Sequence, residues 1–241
     1  MQATYKVNLT LSVYAAGGSG YRPGGFAYLI DDPKLNEWKP EYSGNAEVGM
    51  KGTWLNRKIA LDVSLYYTRF DEMQVRRIAN FMFRVDNADR TTSRGGELQF
   101  SANPVAGLDL TASFGYADAH FDHYSDRVTG ESFDGHALVY ASRYTYSLAA
   151  EYLHSCGFFV RGEVNGRSSV PFNEENTIEQ RAYGLLNART GYEKAHYGIY
   201  LFCKNLLDQR YGHFGIPGAG NSLVGSPGDP RVFGIEAKLK F

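Results

Sequence analysis

No stretch of this chain approaches the roughly 18 uninterrupted apolar residues that a membrane-spanning helix needs. Two cysteines are too few for a disulfide-stapled secreted scaffold. Charge of one sign is missing too: 25 Lys+Arg stand against 26 Asp+Glu, a net charge of -1, so no basic field points to nucleic acid. Met1 leads through Gln2, Ala3 and Thr4 into a strand pattern without the charged start and apolar centre of a signal peptide, so an upstream segment is expected to be missing. What abounds is 18 Tyr, 15 Phe and 27 Gly, the composition of a strand-rich protein. The mean hydropathy of -0.37 does not exclude a membrane, because a barrel strand shows lipid only every second residue.

The positive signal is alternation. Tyr5, Val7, Leu9, Leu11, Val13 and Ala15 share one face of a first predicted strand, and Lys6, Asn8, Thr10 and Ser12 share the other. A helix would scatter these residues around its axis. Ala46, Val48, Met50 and Trp54 alternate with Asn45, Glu47, Lys51 and Thr53, and after Leu55-Asn56-Arg57-Lys58 the chain returns through Ile59, Leu61, Val63, Leu65 and Tyr67, a hairpin with a tight connection. Leu98, Phe100 and Ala102 turn at residues 103–107 into Leu108, Leu110, Ala112, Phe114 and Tyr116. Tyr144, Tyr146, Leu148, Ala150 and Tyr152 turn around Ser155-Cys156-Gly157 into Phe158, Val160 and Val164. Residues 183–192 and 197–205 form another pair, and the last strand sets Phe233, Ile235, Ala237, Leu239 and Phe241 against Glu236, Lys238 and Lys240.

About ten strands result, with short turns at one end and long polar connections at the other. The long ones fall at about residues 17–41, 71–90, 118–138, 166–182 and 206–230. Lipid outside and water inside impose this pattern, with tight turns in the periplasm and long loops outside. The fold expected is therefore all-β, an antiparallel transmembrane β-barrel of a bacterial outer membrane. With the terminal strand ending in the periplasm, residue 1 is expected on that side as well. Tyr14, Tyr66, Tyr116, Tyr140 and Tyr152 suit interfacial girdles. A soluble β-sandwich also alternates, but it has no reason to segregate its loop lengths by end.

Chemical motifs are scarce. The glycine-rich run from Gly17 to Gly25 lacks the Lys-Ser/Thr ending of a phosphate cradle, and Pro23 blocks a following helix. His120-Phe121-Asp122-His123 carries metal-ligand types without putting both His on one strand face, and Gly130-Glu131-Ser132 is no nucleophile elbow. No catalytic set, metal site or cofactor site emerges, and an enzyme is not expected. Cys156 lies in a predicted periplasmic turn and Cys203 in a strand, where it is expected to pack toward lipid; different environments favour unpaired thiols.

Five segments resemble the C-terminal half of TonB-dependent outer-membrane receptors, particularly those for ferric siderophores. Gly20-Tyr21-Arg22-Pro23-Gly24-Gly25-Phe26 resembles the family's strand-to-loop signature. The segment Pro40-Glu41 through Glu47-Val48-Gly49-Met50-Lys51 is similar to its E-x-G-x-K strand. Arg94-Gly95-Gly96-Glu97-Leu98, after Asn87-Ala88, looks like the R-G-x-E-x strand. Asn205-Leu206-Leu207-Asp208-Gln209-Arg210-Tyr211 resembles the N-L-F-D-x-x-Y box, with Leu207 where the family often has Phe. Gly228 to Gly234 with the closing Phe241 resembles the terminal strand.

The resemblance spans residues 1–241 and implies about ten C-terminal strands of a barrel of about 22 strands. The plug, the TonB box and the first strands have no counterpart. It implies a wall embedded in outer-membrane lipid, a final strand read by the barrel-assembly machinery, and coupling to TonB through the missing plug. The implied ligand is a siderophore-type chelate, often anionic and aromatic. Guanidinium and π faces near the outer rim are the candidates to bind it: Tyr21, Arg22, Phe26, Tyr140, Arg143, Arg167, Phe172 and Phe214. Glu47, Lys51, Asp62, Glu97, Arg143, Glu151, Arg161, Glu163 and Arg189 fall on the polar phase, as a salt-bridged wall or as docking points for the plug. Ten strands closed on themselves as a passive porin-like channel, or left as an open sheet, both remain compatible with the pattern.

Overall fold

The computed structural model of the chain describes residues 1–27, 36–79, 82–217 and 223–239. Strands β1 (Gln2–Lys6), β2 (Leu11–Arg22), β5 (Glu41–Trp54), β6 (Ile59–Ala79), β7 (Met82–Ala102), β8 (Leu108–His123), β9 (Tyr144–Leu153), β10 (Phe158–Arg167), β13 (Tyr183–Glu193), β14 (Tyr197–Lys204) and β17 (Val232–Leu239) form one antiparallel sheet. Each pairs with the next, and β1 and β17 are its edges among the described residues. Three ribbons sit in the long connections: β3 (Gly25–Phe26) with β4 (Glu37–Trp38), β11 (Val170–Pro171) with β12 (Glu179–Gln180), and β15 (Gly212–Pro217) with β16 (Leu223–Pro227).

The register sorts the two phases of every strand onto opposite faces. Val48, Leu65, Gly96, Tyr116 and Tyr144 line up across five strands, as do Lys51, Asp62, Gln99, Ser113 and Ser147 on the opposite phase. The apolar face is not covered by protein: Leu65 is 59% exposed, Ile199 54% and Ile235 74%. Its stretch on β6 runs from Ile59 to Tyr67, matching the roughly nine to eleven residues that a tilted strand needs to cross a bilayer. The buried apolar cluster lies elsewhere, at the long-connection end, where Val75, Ala88, Phe121, Tyr124 and Phe133 pack together with Met73 and Leu138.

The structure departs from the sequence expectations at several places. The first predicted strand is a hairpin, with Tyr5 opposite Val13 and Lys6 opposite Ser12. The Asn8 side chain accepts from the amides of Thr10 and Leu11 at 2.8 and 2.9 Å, which bends the chain back. Among the described residues the sheet consequently has eleven strands. Residue 1 does not lie at the turn end: its amino group meets the Gly17 carbonyl at 2.8 Å, partway up the wall. Residues 71–90 are not an irregular loop, because β6 and β7 stay paired from Asp71–Arg90 to Ala79–Met82. Likewise β2 runs on to Arg22 and β8 to His123. The short turns fall where expected, with Leu55, Asn56 and Arg57 all at positive φ and Gly157 at +105°.

An odd strand count also bears on closure. Strands of an antiparallel sheet alternate in direction, so β1 and β17 run the same way. A seam between them would be parallel, whereas single-chain bacterial barrels close antiparallel with even numbers. A small self-closed channel is therefore not favoured.

Candidate functional site

On the polar face the charges are paired along and across strands. Lys51 lies 3.6 Å from Asp62, Arg161 bridges Glu151 at 3.1 Å and Glu163 at 2.6 Å, and Arg189 meets Glu236 at 3.0 Å while its guanidinium covers Tyr200 at 3.8 Å. Glu47 and Lys51 flank Gly49 on this face, and the reason for the glycine is steric. Tyr14, cross-strand from Gly49, lays its ring where a Cβ would stand, 2.6 Å away, and so delivers its hydroxyl to Glu47 at 2.5 Å. Tyr66, cross-strand from Gly95, brings its hydroxyl to 2.8 Å from the place a Cβ would take there, beside the Tyr116 carbonyl. Tyr14 and Tyr66 thus face the polar side, correcting their expected place in a lipid girdle. Tyr116 does occupy that position, joined by Tyr67 and Tyr144, each more than 40% exposed on the apolar face. Glu97 lies on the polar phase opposite Ser64, and Gly96 on the apolar phase, where Leu65 crowds it.

The segment from Asn205 to Tyr211 is a clasp between the end of β14 and the start of β17. Asn205 is 3% exposed and takes a left-handed backbone. Its side chain donates to the carbonyls of Gln209 and Asp229, both at 3.0 Å, and accepts from the Gln209 amide at 2.8 Å. Leu206 N donates to Leu186 O, the Asp208 carboxylate accepts from the Arg231 amide, and Tyr211 stacks on Tyr183 at 4.5 Å. These contacts fix the last connection without any ligand. Phe241 lies outside the described residues.

At the loop end the connections pack on one another. The Arg77 guanidinium lies 4.8 Å over the Phe133 ring, ion-paired with Asp126, and with Glu175 at 2.8 Å. Arg84 also pairs with Asp126 and reaches Asp86 at 2.9 Å; Asp86 is fully buried and takes Arg127 at 3.0 Å. Burial works against the Asp126 charge, yet the amides of Thr129 and Val128 and the two guanidiniums outweigh it and hold its carboxyl below the usual range. Burial instead pushes the Glu174 carboxyl and the Tyr124 phenol up. Such a cluster joins the β6–β7 hairpin to residues 124–143 and 168–182.

The eight rim candidates do not form one group. Tyr140 meets Phe172 at 5.5 Å and stacks on Phe214 at 5.7 Å, and its hydroxyl donates to Gly215 O at 2.7 Å. Tyr140 is 42% and Phe214 47% exposed, while Phe172 is buried beneath them. Arg167 holds Ser142 at 2.7 Å, and Arg143 lies 3.7 Å from Asp118. Tyr21, Arg22 and Phe26 sit at the β2 end of the sheet, several strands away. Tyr21 shares the phase of Val13 and Ala15, so its ring lies on the apolar face, 5.3 Å from Tyr42.

A family model described as TonB dependent receptor-like, beta-barrel, matches residues 2–206. The chain belongs to this family. It is 26% identical to the ferric-pyoverdine M114 receptor PbuA of Pseudomonas sp. strain M114, over 98% of this chain and 29% of that protein. It is 24% identical to the ferric-pyoverdine BN7/BN8 receptor of Pseudomonas putida, of which it covers 26%. The fold matches the ferric yersiniabactin uptake receptor FyuA from Yersinia pestis with a TM-score of 0.82 at 22% identity, over 100% of this chain and 36% of that one. The chain therefore spans less than a third of the length of either curated relative.

Within this receptor wall, sequence reasoning missed the partners that make the motifs work. Tyr183 and His213 flank Tyr211, but only Tyr211 sits in a recognisable box. The ion cluster of Arg77, Arg84, Asp86 and Asp126 carries no such signature, because in this part of β6 and β7 polar and apolar residues mix on the same strand phase and alternation disappears. Its one sequence trace is Arg84 and Asp86 spaced by two, which puts them on one strand face.

Proposed function

We propose that the chain is the C-terminal part of the barrel of a TonB-dependent outer-membrane receptor that takes up a ferric siderophore or similar metal chelate. It supplies wall and extracellular loops, and it makes or breaks no bond. The plug, the remaining strands and the contact with TonB belong to other parts of the receptor, and the final strand is what the assembly machinery engages. The observation that carries this reading is the pairing of an exposed apolar band with a loop end that is packed into a folded layer rather than left loose. Family membership and the two relatives named above, which are ferric-pyoverdine receptors, support it.

In this reading the half-exposed rings of Tyr140 and Phe214 face the chelate, Phe172 braces them, and Arg167 and Arg22, both on the polar phase, supply positive charge. The apolar-face position of Tyr21 suits an interfacial anchor. The test is iron-chelate binding to cells carrying the whole receptor. Tyr140→Ala or Arg167→Ala should weaken binding about tenfold, the scale of one desolvated cation–π or charged hydrogen bond. Unchanged affinity for a panel of ferric chelates in both variants would refute the assignment.

A further inference from the structure

Just above the apolar band the same outward face turns abruptly to arginine. On β6 the phase of Leu65 and Tyr67 continues to Arg69 and Asp71; on β7 the phase of Leu98 and Gly96 continues to Arg94, Thr92 and Arg90. Arg69 stands opposite Thr92, so Arg90 and Arg94 are its two diagonal neighbours, about 7–8 Å away by strand geometry. All three are exposed. Asp71 takes the Nε–Nη2 edge of Arg69, and Asp118 takes the same edge of Arg94, so among the described residues the far N–H groups of both guanidiniums have no partner. Arg90 has no ion pair among the described residues. Adding Arg143, which shares Asp118, the four guanidiniums outnumber the carboxylates of Asp71, Asp118 and Asp122 by one, with His120 held between the last two.

We propose that this outward arginine row binds the phosphate of a membrane-embedded anionic lipid headgroup. Its height is what selects a lipid: the row begins with Arg94, directly opposite Tyr67, and continues to Arg69 and Arg90 beyond it, where a band of bilayer length ends and headgroups begin. Guanidiniums take phosphate oxygens in parallel pairs of hydrogen bonds, and the tyrosine ring row below accommodates the glycerol or sugar level. The site faces away from the polar wall and is separate from the chelate site. It rests on the barrel reading, whose failure is detected separately by the absence of a heat-shifted band on gels.

The experiment is native mass spectrometry of the whole receptor in mild detergent with added bis-phosphorylated lipid A. The wild type should retain the lipid, and Arg69→Gln/Arg90→Gln/Arg94→Gln should lose on the order of a hundredfold in retention, about fivefold per guanidinium. Arg90→Gln alone strands no carboxylate and should lose about fivefold, so it carries the test if the triple variant fails to fold. Equal retention by the folded variants would overturn the proposal, as would displacement of the lipid by equimolar inorganic phosphate. Weaker retention of the dephosphorylated lipid is the expected counterpart.

Discussion

Phe133 sits fully buried at the centre of the loop layer, and its removal separates the stability of that layer from that of the wall. Its ring meets Tyr124 at 5.3 Å and His136 at 5.8 Å, and Arg77 lies over it at 4.8 Å. Phe133→Ala leaves a cavity at a site that cannot collapse easily, because Asp86, Asp126 and their arginines are held by ion pairs on the other side. The expected cost is about 3–5 kcal/mol, with the lost cation–π contact contributing about 1–2 kcal/mol. Hydrogen exchange reads this directly. The Gly135 amide, bonded to Phe121 O at 2.7 Å, and the Leu138 amide, bonded to Ala119 O at 3.0 Å, should exchange about a hundredfold to several thousandfold faster. Amides in the Leu61–Tyr67 stretch, which lies within the continuous β5–β6–β7 ladder, should change little. Unchanged loop protection, or wall and loops opening together, would refute the separation of the two layers.

Other outcomes follow from the same geometry. Leu98→Arg, on the apolar face, should cost about 2–4 kcal/mol in a bilayer, whereas Gln99→Arg, one residue along on the polar face, should be tolerated; equal loss of the heat-shifted band in both would contradict the face assignment. The loop layer should be most stable in mild acid. Glu174, raised by burial, withholds stability at neutral pH and restores it as pH falls through its folded value. Asp126, lowered by its amides and arginines despite burial, loses its contribution only as pH falls further through its own folded value. Local melting of the loops followed against pH should thus pass through a maximum, and Glu174→Gln should flatten only its neutral limb. Asn205→Ala strands the carbonyls of Gln209 and Asp229 and should cost about 1–3 kcal/mol, read as faster proteolysis within residues 206–231; an unaltered digestion pattern would count against the clasp.

The legibility of the wall and the opacity of the loops have one cause. Across the membrane, lipid on one side and polar surroundings on the other impose a strict period of two, so Ile59 to Tyr67 and Leu108 to Tyr116 are readable residue by residue. Even there, alternation does not distinguish a strand from a hairpin. Tyr5 pairs with Val13 and Lys6 with Ser12, so odd residues stay on one face through the Asn8 turn, and the pattern of the hairpin is that of a single strand. Beyond the membrane the extension of β6 and β7 packs against other connections instead of lipid, strict alternation ceases to be required, and the paired extension reads as loop.

The candidate site divides along the same line. The sequence by itself determined the strand phases, the short turns after β5, β7 and β9, and the motifs around Glu47, Glu97 and Asn205, because each depends on neighbours a few residues away. Only the tertiary structure decided that Tyr14 crosses Gly49 to reach Glu47, that Tyr140, Phe172 and Phe214 meet from three separate connections, and that Arg77 finds Asp126 over Phe133. Those contacts join residues tens of positions apart, and their partners are chosen by the packing of whole loops, which no local periodicity encodes.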